Sequence, residues 1–372
     1  MCLAQFQSSS GERSPNDMPA NIKELFGTWF IGVVVGTVII AVTSPLFLRS
    51  YAPLTVDSVR QVYTLSQTPR YRWRSEGYAD SVIGPLGMPG RSDLPATKTD
   101  TLRVALWGDS QTEGVAVSDA DKIYAQCERQ SVERFTGDEF KQMVVLPFAR
   151  SGEDAHDWVP QMSRIDEHLT VDVHVFFIAE LVDLAAANQS RSNVQANNTK
   201  FAYSNYAPAF VIQAARNLFT TGDGAQPRRL RFSLGPTQTV SAPPPRKELT
   251  HDQITKVDWQ TSIHAITGGT TKPVVIVYGP VVPSIVSGTV VAIDEHANEF
   301  ERIKQAAFSN GVVVVDVRDD LLDAAGRGNW PHGFHNGQFG SGHLNKIGNE
   351  IVARGILRGV KQVMRRTDQG SN

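Results

Sequence analysis

Apolar positions divide the chain into a long uncharged run, an irregular stretch, and an extended alternation of short strands and helices. The run Leu25–Leu48, LFGTWFIGVVVGTVIIAVTSPLFL, carries no charged residue. At about 1.5 Å rise per residue in a helix, it is long enough to cross the hydrocarbon core of a bilayer. The pattern therefore predicts a transmembrane helix over residues 25–48. A buried core helix and a cleaved signal peptide are the alternatives. The run exceeds a usual signal-peptide core and no small-residue cleavage site follows it cleanly, which favours a retained single-pass anchor. Lys23 and Arg13 precede the run and Arg49 and Arg60 follow it, so the positive-inside comparison does not orient the chain.

Residues 1–24 read as a disordered tail, being rich in Ser, Asn, Gln, Gly and Pro before the anchor. Residues 49–100 mix Pro, Gly, Arg and aromatics without a clear period and read as a stalk and covering loop. From residue 101 to 366 the pattern is that of one α/β domain, with a short tail at 367–372. Five β-branched or aromatic runs, Leu102–Trp107, Met143–Phe148, Val173–Ile178, Pro273–Tyr278 and Val312–Val317, have the length of buried strands. Helical stretches are expected near 119–135, 154–168, 205–219, 251–266, 294–309 and 344–365. Strand-helix alternation implies a parallel sheet covered on both faces, with ligands beyond the carboxyl ends of its strands. A stretch over 185–250 interrupts the alternation and reads as an insertion or cap beside the site.

Three segments carry candidate chemistry. The first strand runs into ALWGDSQTEG, which places Ser110 just past its carboxyl end, where a hydroxyl faces a cleft and the residue's own N–H points at a developing oxyanion. The bland alternative is a serine that caps a helix. The second strand leads to PFARSGEDAHDW, in which Gly152 either serves the turn or donates its N–H to an oxyanion, and Glu153 and Asp154 open a helix. Near the C-terminus, FHNGQFGSGHLNKIGNEIVARGIL sets His343 before an amphipathic helix, placed to take the serine's proton. His332 and His335 lie nearby, but no HExxH or equivalent spacing supports a metal site, and no cofactor is called for.

Composition narrows the classes. The 372 residues have a formal charge of −2 and a pI near 6.5, with no basic footprint for a phosphate backbone, so nucleic acid is not an expected partner. Cys2 and Cys127 form no CxxC pair, and a metal-thiolate site is excluded. No Walker or GxGxxG loop follows the first strand, which argues against a nucleotide- or flavin-binding module.

Together, GDSQTEG, RSGED and GHLNKIG resemble the blocks of the SGNH (GDSL-like) hydrolase superfamily in order and in strand position, over roughly residues 102–365. The resemblance implies a three-layer α/β/α, flavodoxin-like doubly wound sheet of about five strands, preceded here by the membrane helix. It implies catalysis by Ser110 and His343, with an oxyanion hole from the N–H groups of Ser110 and Gly152. The implied function is hydrolysis of a small acyl ester or acylated carbohydrate, or transfer of its acyl group, by a domain outside the cytoplasm. Two positions depart from the family. Val182 stands where the family has an oxyanion asparagine, and Gly340 where it has the aspartate that orients the histidine. A backbone carbonyl, or an acid such as Glu180, Asp183 or Asp319, is then needed to hold the ring. The second function these departures suggest is a catalytically impaired descendant that binds a glycan or organises an envelope assembly.

Overall fold

The computed structural model describes residues 20–47, 54–72, 76–97, 100–134, 142–185 and 251–370. Helix α1 (Ala20–Phe47) has Lys23 and Glu24 near its start and no charged residue after them, and its Ile22–Ile40 stretch, with mean hydropathy 1.6, is 0% buried. No described residue covers that stretch as the core of a domain covers a buried helix. By length and composition α1 can cross a membrane.

Four short strands follow, β1 (Leu54–Val56), β2 (Tyr63–Leu65), β3 (Thr68–Arg72) and β4 (Asp80–Ile83), paired antiparallel as β1–β2 and β3–β4. The expected covering loop therefore contains two small hairpins. Strands of three to five residues are too short for an alternating pattern to stand out from the sequence.

The domain proper begins with β5 (Thr101–Gly108), helix α2 (Ser110–Glu113), α3 (Ile123–Arg134), β6 (Gln142–Ala149), α4 (Ala155–His168), β7 (Val173–Ile178) and α5 (Val182–Ala185). It resumes with α6 (His251–Ile254), α7 (Trp259–Gly268), β8 (Val274–Tyr278), a hairpin of β9 (Ser284–Val286) and β10 (Thr289–Val291), α8 (Ala297–Ser309), β11 (Val313–Asp316), α9 (Arg318–Gly326) and α10 (Lys346–Gly370). The β9–β10 hairpin and α9 had no counterpart among the sequence expectations. The expected cap and its helix near 205–219 lie outside the described residues.

Strands β11, β8, β7, β5 and β6 form, in that order, a five-stranded, wholly parallel sheet. Because the first strand lies between the second and third, this is the doubly wound order of flavodoxin-like folds. Alternate residues go to opposite faces. Trp107, Phe148, Phe176, Ile276 and Tyr278 pack with Trp158, Met162, Ile263 and Phe300 of α4, α7 and α8. Leu106, Val145, Val175, Val277 and Val315 pack with Cys127, Leu321, Ile356 and Val360 of α3, α9 and α10. Each strand is thus apolar on both faces, which is why the runs read as continuous rather than alternating. The chain reverses direction of winding beside β5, so the crevice falls at the carboxyl end of the strand that leads to Ser110.

Candidate active site

Ser110 is the first residue of α2. The helix cap is Asp109, whose Oδ1 accepts from the Gln111 N–H at 2.9 Å, so the serine does not serve as the cap. At the first helical position, its N–H has no carbonyl within the helix to bond. The far end of this one-turn helix is closed by Gly114 in left-handed conformation and by Lys122, whose buried ammonium donates to the carbonyls of Glu113 at 2.8 Å and Gly114 at 2.6 Å. Burial pushes the lysine down to about 8, against the opposing pull of Asp119 and Glu113.

After β6, the Glu153 N–H bonds the Arg150 carbonyl, and the Ser151 N–H donates to the buried carboxylate of Glu113 at 2.9 Å. Gly152, between them, has φ +82, and nothing approaches within 4 Å of where its Cβ would stand. The backbone conformation alone accounts for the glycine. Among the described residues its N–H meets no acceptor, so it is available to a ligand. Asp154 caps α4 through a reciprocal capping box with Asp157. Glu153 instead turns inward, with ionic contacts to Arg150 at 3.2 Å and Arg60 at 3.7 Å, while Arg150 also donates to the Tyr63 carbonyl. Burial raises the Glu153 carboxyl above its ordinary value, with the two arginines opposing.

The histidine loop is fastened to α2 by one side chain. Gln111 donates through Nε2 to the Gly342 carbonyl at 3.2 Å, and its Oε1 accepts from the Leu344 N–H at 2.8 Å. The peptide groups on either side of His343 are thereby tied to the residue after Ser110, which joins the serine's turn to the histidine's loop.

The carboxylate at His343 is Glu76. Its Oε2 lies 2.5 Å from His343 Nδ1, and its Oε1 accepts from the His343 backbone N–H at 3.1 Å. With Nδ1 donating to the carboxylate, Nε2 is the nitrogen left to take a proton. The hydrogen bond and charge of Glu76 raise the imidazole above its ordinary value, with burial opposing. The side chain is 31% exposed, so the ring is not sealed from a substrate.

None of the three acids expected from the sequence holds the ring. Asp183 is buried in α5 and closes a turn with Glu180, which is exposed, and Asp319 is exposed at the start of α9. Glu76 reaches the ring from 267 positions earlier in the chain. Sequence spacing carries no trace of such a contact, because an acid delivered by a remote loop obeys no local period. A lone glutamate before Gly77 was the sole mark of it.

The structure also explains why an aspartate is missing from position 340. Gly340 has φ +73, and a Cβ there would lie 2.7 Å from Ile285 Cγ1 and 2.9 Å from Trp330 Cζ3. Nearby His332 is fully buried, among the described residues both its ring nitrogens are unpartnered, and burial pushes it down to about 4, so it stays neutral. His335 packs edge-on against Phe339. Among the described residues no group of three His, Cys, Asp or Glu side chains is arranged to hold a metal ion.

The fold is a doubly wound parallel α/β sheet, in which the turn that carries Ser110 is tied to the loop that carries His343 and Glu76 is paired with that histidine. No family profile matches the chain, and no curated protein matches it in sequence. Among solved structures, it is similar to an α/β hydrolase enzyme from the metagenome of Lake Arreo (11% identity, TM-score 0.39, covering 70% of this chain and 96% of that one). It is similar also to a family 3 carbohydrate esterase of Clostridium thermocellum (12%, 0.37, 72% and 98%). A third is a lipolytic protein of the G-D-S-L family from Veillonella parvula (13%, 0.35, 69% and 97%). These overlaps are distant, and the strand order and the site geometry carry the assignment of fold.

Proposed function

We propose that this chain is a serine-dependent acyl ester hydrolase of the SGNH type, in which Ser110 is the nucleophile, His343 the base and Glu76 the acid that orients it. The observation that carries the reading is the two-point contact of Glu76 with the ring and backbone of His343. In this mechanism Nε2 of His343 takes the Ser110 proton as Oγ attacks the ester carbonyl. The N–H groups of Ser110 and Gly152 stabilise the tetrahedral oxyanion, and the imidazolium returns the proton to the leaving alkoxide. A second nucleophile, deprotonated by the same imidazole, then releases the acyl group. Water gives hydrolysis and a sugar hydroxyl gives transfer, and the same groups serve both.

The resemblance to SGNH proteins suggests acylated carbohydrates or other small esters as substrates. With α1 as a single-pass anchor, the domain would work at the membrane surface, outside the cytoplasm. A non-catalytic, glycan-binding role drew its support from Val182 and Gly340. Glu76 supplies the carboxylate that Gly340 lacks, so of the two only Val182 still speaks for that role. The test is labelling of the full chain by a fluorophosphonate probe, together with hydrolysis of a small aryl acetate. Both should be present in the native protein and absent in Ser110→Ala. Labelling that persists in Ser110→Ala, or a native protein inert towards every ester offered, sinks the proposal.

A further inference from the structure

A carboxylate can orient His343 only if the backbone that carries it stays in place. Glu76 is followed by Gly77, whose backbone is enclosed from two sides. On one side, with φ +70, a Cβ at Gly77 would stand 2.0 Å from the Ala116 carbonyl oxygen, so the peptide lies directly against the turn after α2. On the other side is Asn336, in the same loop as His343. Its Oδ1 accepts from the Gly77 N–H at 2.8 Å and its Nδ2 donates to the Gly77 carbonyl at 2.9 Å.

The side-chain amide thus pairs with Gly77 as a neighbouring strand would, joining positions 259 apart. Asn336 stands in a turn closed by the Gly337 N–H on the Phe334 carbonyl, and the chain comes back along the histidine through the Gly333 N–H on the His343 carbonyl. The carboxylate itself is pressed close to the same loop, since a Cβ at Gly342 would lie 2.1 Å from Glu76 Oε1. Two hydrogen bonds from one side chain, rather than one, fix both the distance and the rotation of the peptide that bears the acid.

We propose that Asn336 is a positioning residue: by its paired hydrogen bonds to Gly77, it holds Glu76 on His343 and so sets the basicity of the imidazole. It touches neither substrate nor reacting atoms. The proposal rests on the catalytic reading only for its effect on turnover, because the titration of His343 can be followed without any substrate.

The direct test is the His343 titration, read by NMR in the native chain, Glu76→Gln and Asn336→Ala. The native ring should titrate above 6.5, as the contact with Glu76 requires. Asn336→Ala should move it down towards the value in Glu76→Gln. If the catalytic reading holds, kcat should fall by about a hundredfold, as for a catalytic group displaced by roughly 1 Å. KM should be nearly unchanged, and the acid limb of the rate profile should shift to lower pH. Adding Asn336→Ala to Glu76→Gln should then cost little more, since the two act as one unit. Asn336→Gln keeps the amide but lengthens its arm. It should not restore native behaviour, and it provides the reading if Asn336→Ala does not fold. A folded variant whose His343 titrates as in the native chain overturns the proposal. Normal titration shifts in a protein with no Ser110-dependent hydrolysis would instead reject the catalytic reading and leave the role of Asn336 standing.

Discussion

At the scale of single residues, the proposed mechanism takes both the direction of proton transfer and its pH dependence from the contact between Glu76 and His343. In that mechanism the base must be neutral to accept the serine proton, so the raised value of His343 predicts an acid limb of activity above pH 6.5. Glu76→Gln removes the largest cause of that rise. The limb should move to lower pH while turnover falls by up to about four orders of magnitude, as when an orienting acid is lost elsewhere. A profile of kcat/KM against pH for the two proteins checks this, and an unmoved limb would contradict the assignment. Stability follows the same linkage. Because the folded value is raised, the pair's contribution is complete below pH 6.5 and is lost as pH rises through the folded value. Melting temperature plotted against pH should therefore lose that slope in Glu76→Gln. Restoring the family's aspartate by Gly340→Asp should harm the protein. The positive φ and the contacts with Ile285 and Trp330 predict a loss of about 2 to 5 kcal/mol in denaturant unfolding. Improved activity with native stability would refute this account.

At the scale of elements, α2 is a four-residue helix that has no stability of its own and is made rigid from outside. Asp109 caps its start, Lys122 binds its last carbonyls, and Gln111 ties it to the histidine loop. Lys122 is held below its ordinary 10.5, at about 8, by burial. For a group whose folded value is depressed, the contribution to stability is full above the unfolded value and is lost as pH falls through the folded one. The native protein should therefore gain stability from this group between pH 8 and 10.5, and Lys122→Met should lack that gain. Thermal melts across the interval decide it, and parallel curves for the two proteins would remove the lysine from the explanation. Gln111→Ala should slow fluorophosphonate labelling of Ser110 by about tenfold or more, because the serine and histidine turns lose their shared fastener. Unchanged labelling would mean that the sheet alone keeps the two turns in register.

Across the whole molecule, the site is assembled from both ends of the chain around the sheet. The segment after α1 contributes Glu76 to the ring of His343 and Arg60 to the buried ionic contacts beneath the Gly152 turn. Arg60 is itself held by Gln161 at 2.7 Å and by the Leu86 carbonyl at 2.9 Å. A chain shortened to begin at residue 52 loses α1 but keeps these contacts, and should be soluble with full hydrolytic activity. One that begins at residue 100 retains Ser110 and His343 but not Glu76, and should be at least as impaired as Glu76→Gln. The full chain should remain with membranes on carbonate extraction. Recovery of the full-length, unprocessed protein in the soluble fraction would rule out the anchor.

The sequence by itself determined the sheet and the placement of Ser110 at a strand end and of His343 ahead of the last helix. Each of the five central strands was legible because both faces of the sheet are covered, so the runs at 102–107, 143–148, 173–178, 273–278 and 312–317 are apolar but for Arg103, His174 and Asp316. Ser110 and His343 were legible because strand ends and helix starts have local signatures in glycine, aspartate and apolar spacing. What tertiary structure alone decided was the carboxylate that meets His343 and everything that fixes it in place. Glu180, Asp183 and Asp319 were reasonable candidates by their nearness to strand ends, yet the ring is held by Glu76, carried on a turn without periodicity. The fastening amides of Asn336 and Gln111 were equally invisible, since an amide side chain pairs with whichever backbone the fold brings within 3 Å or so. Strands and caps are written in neighbouring residues, whereas a contact across 267 positions exists only once the chain has closed on itself.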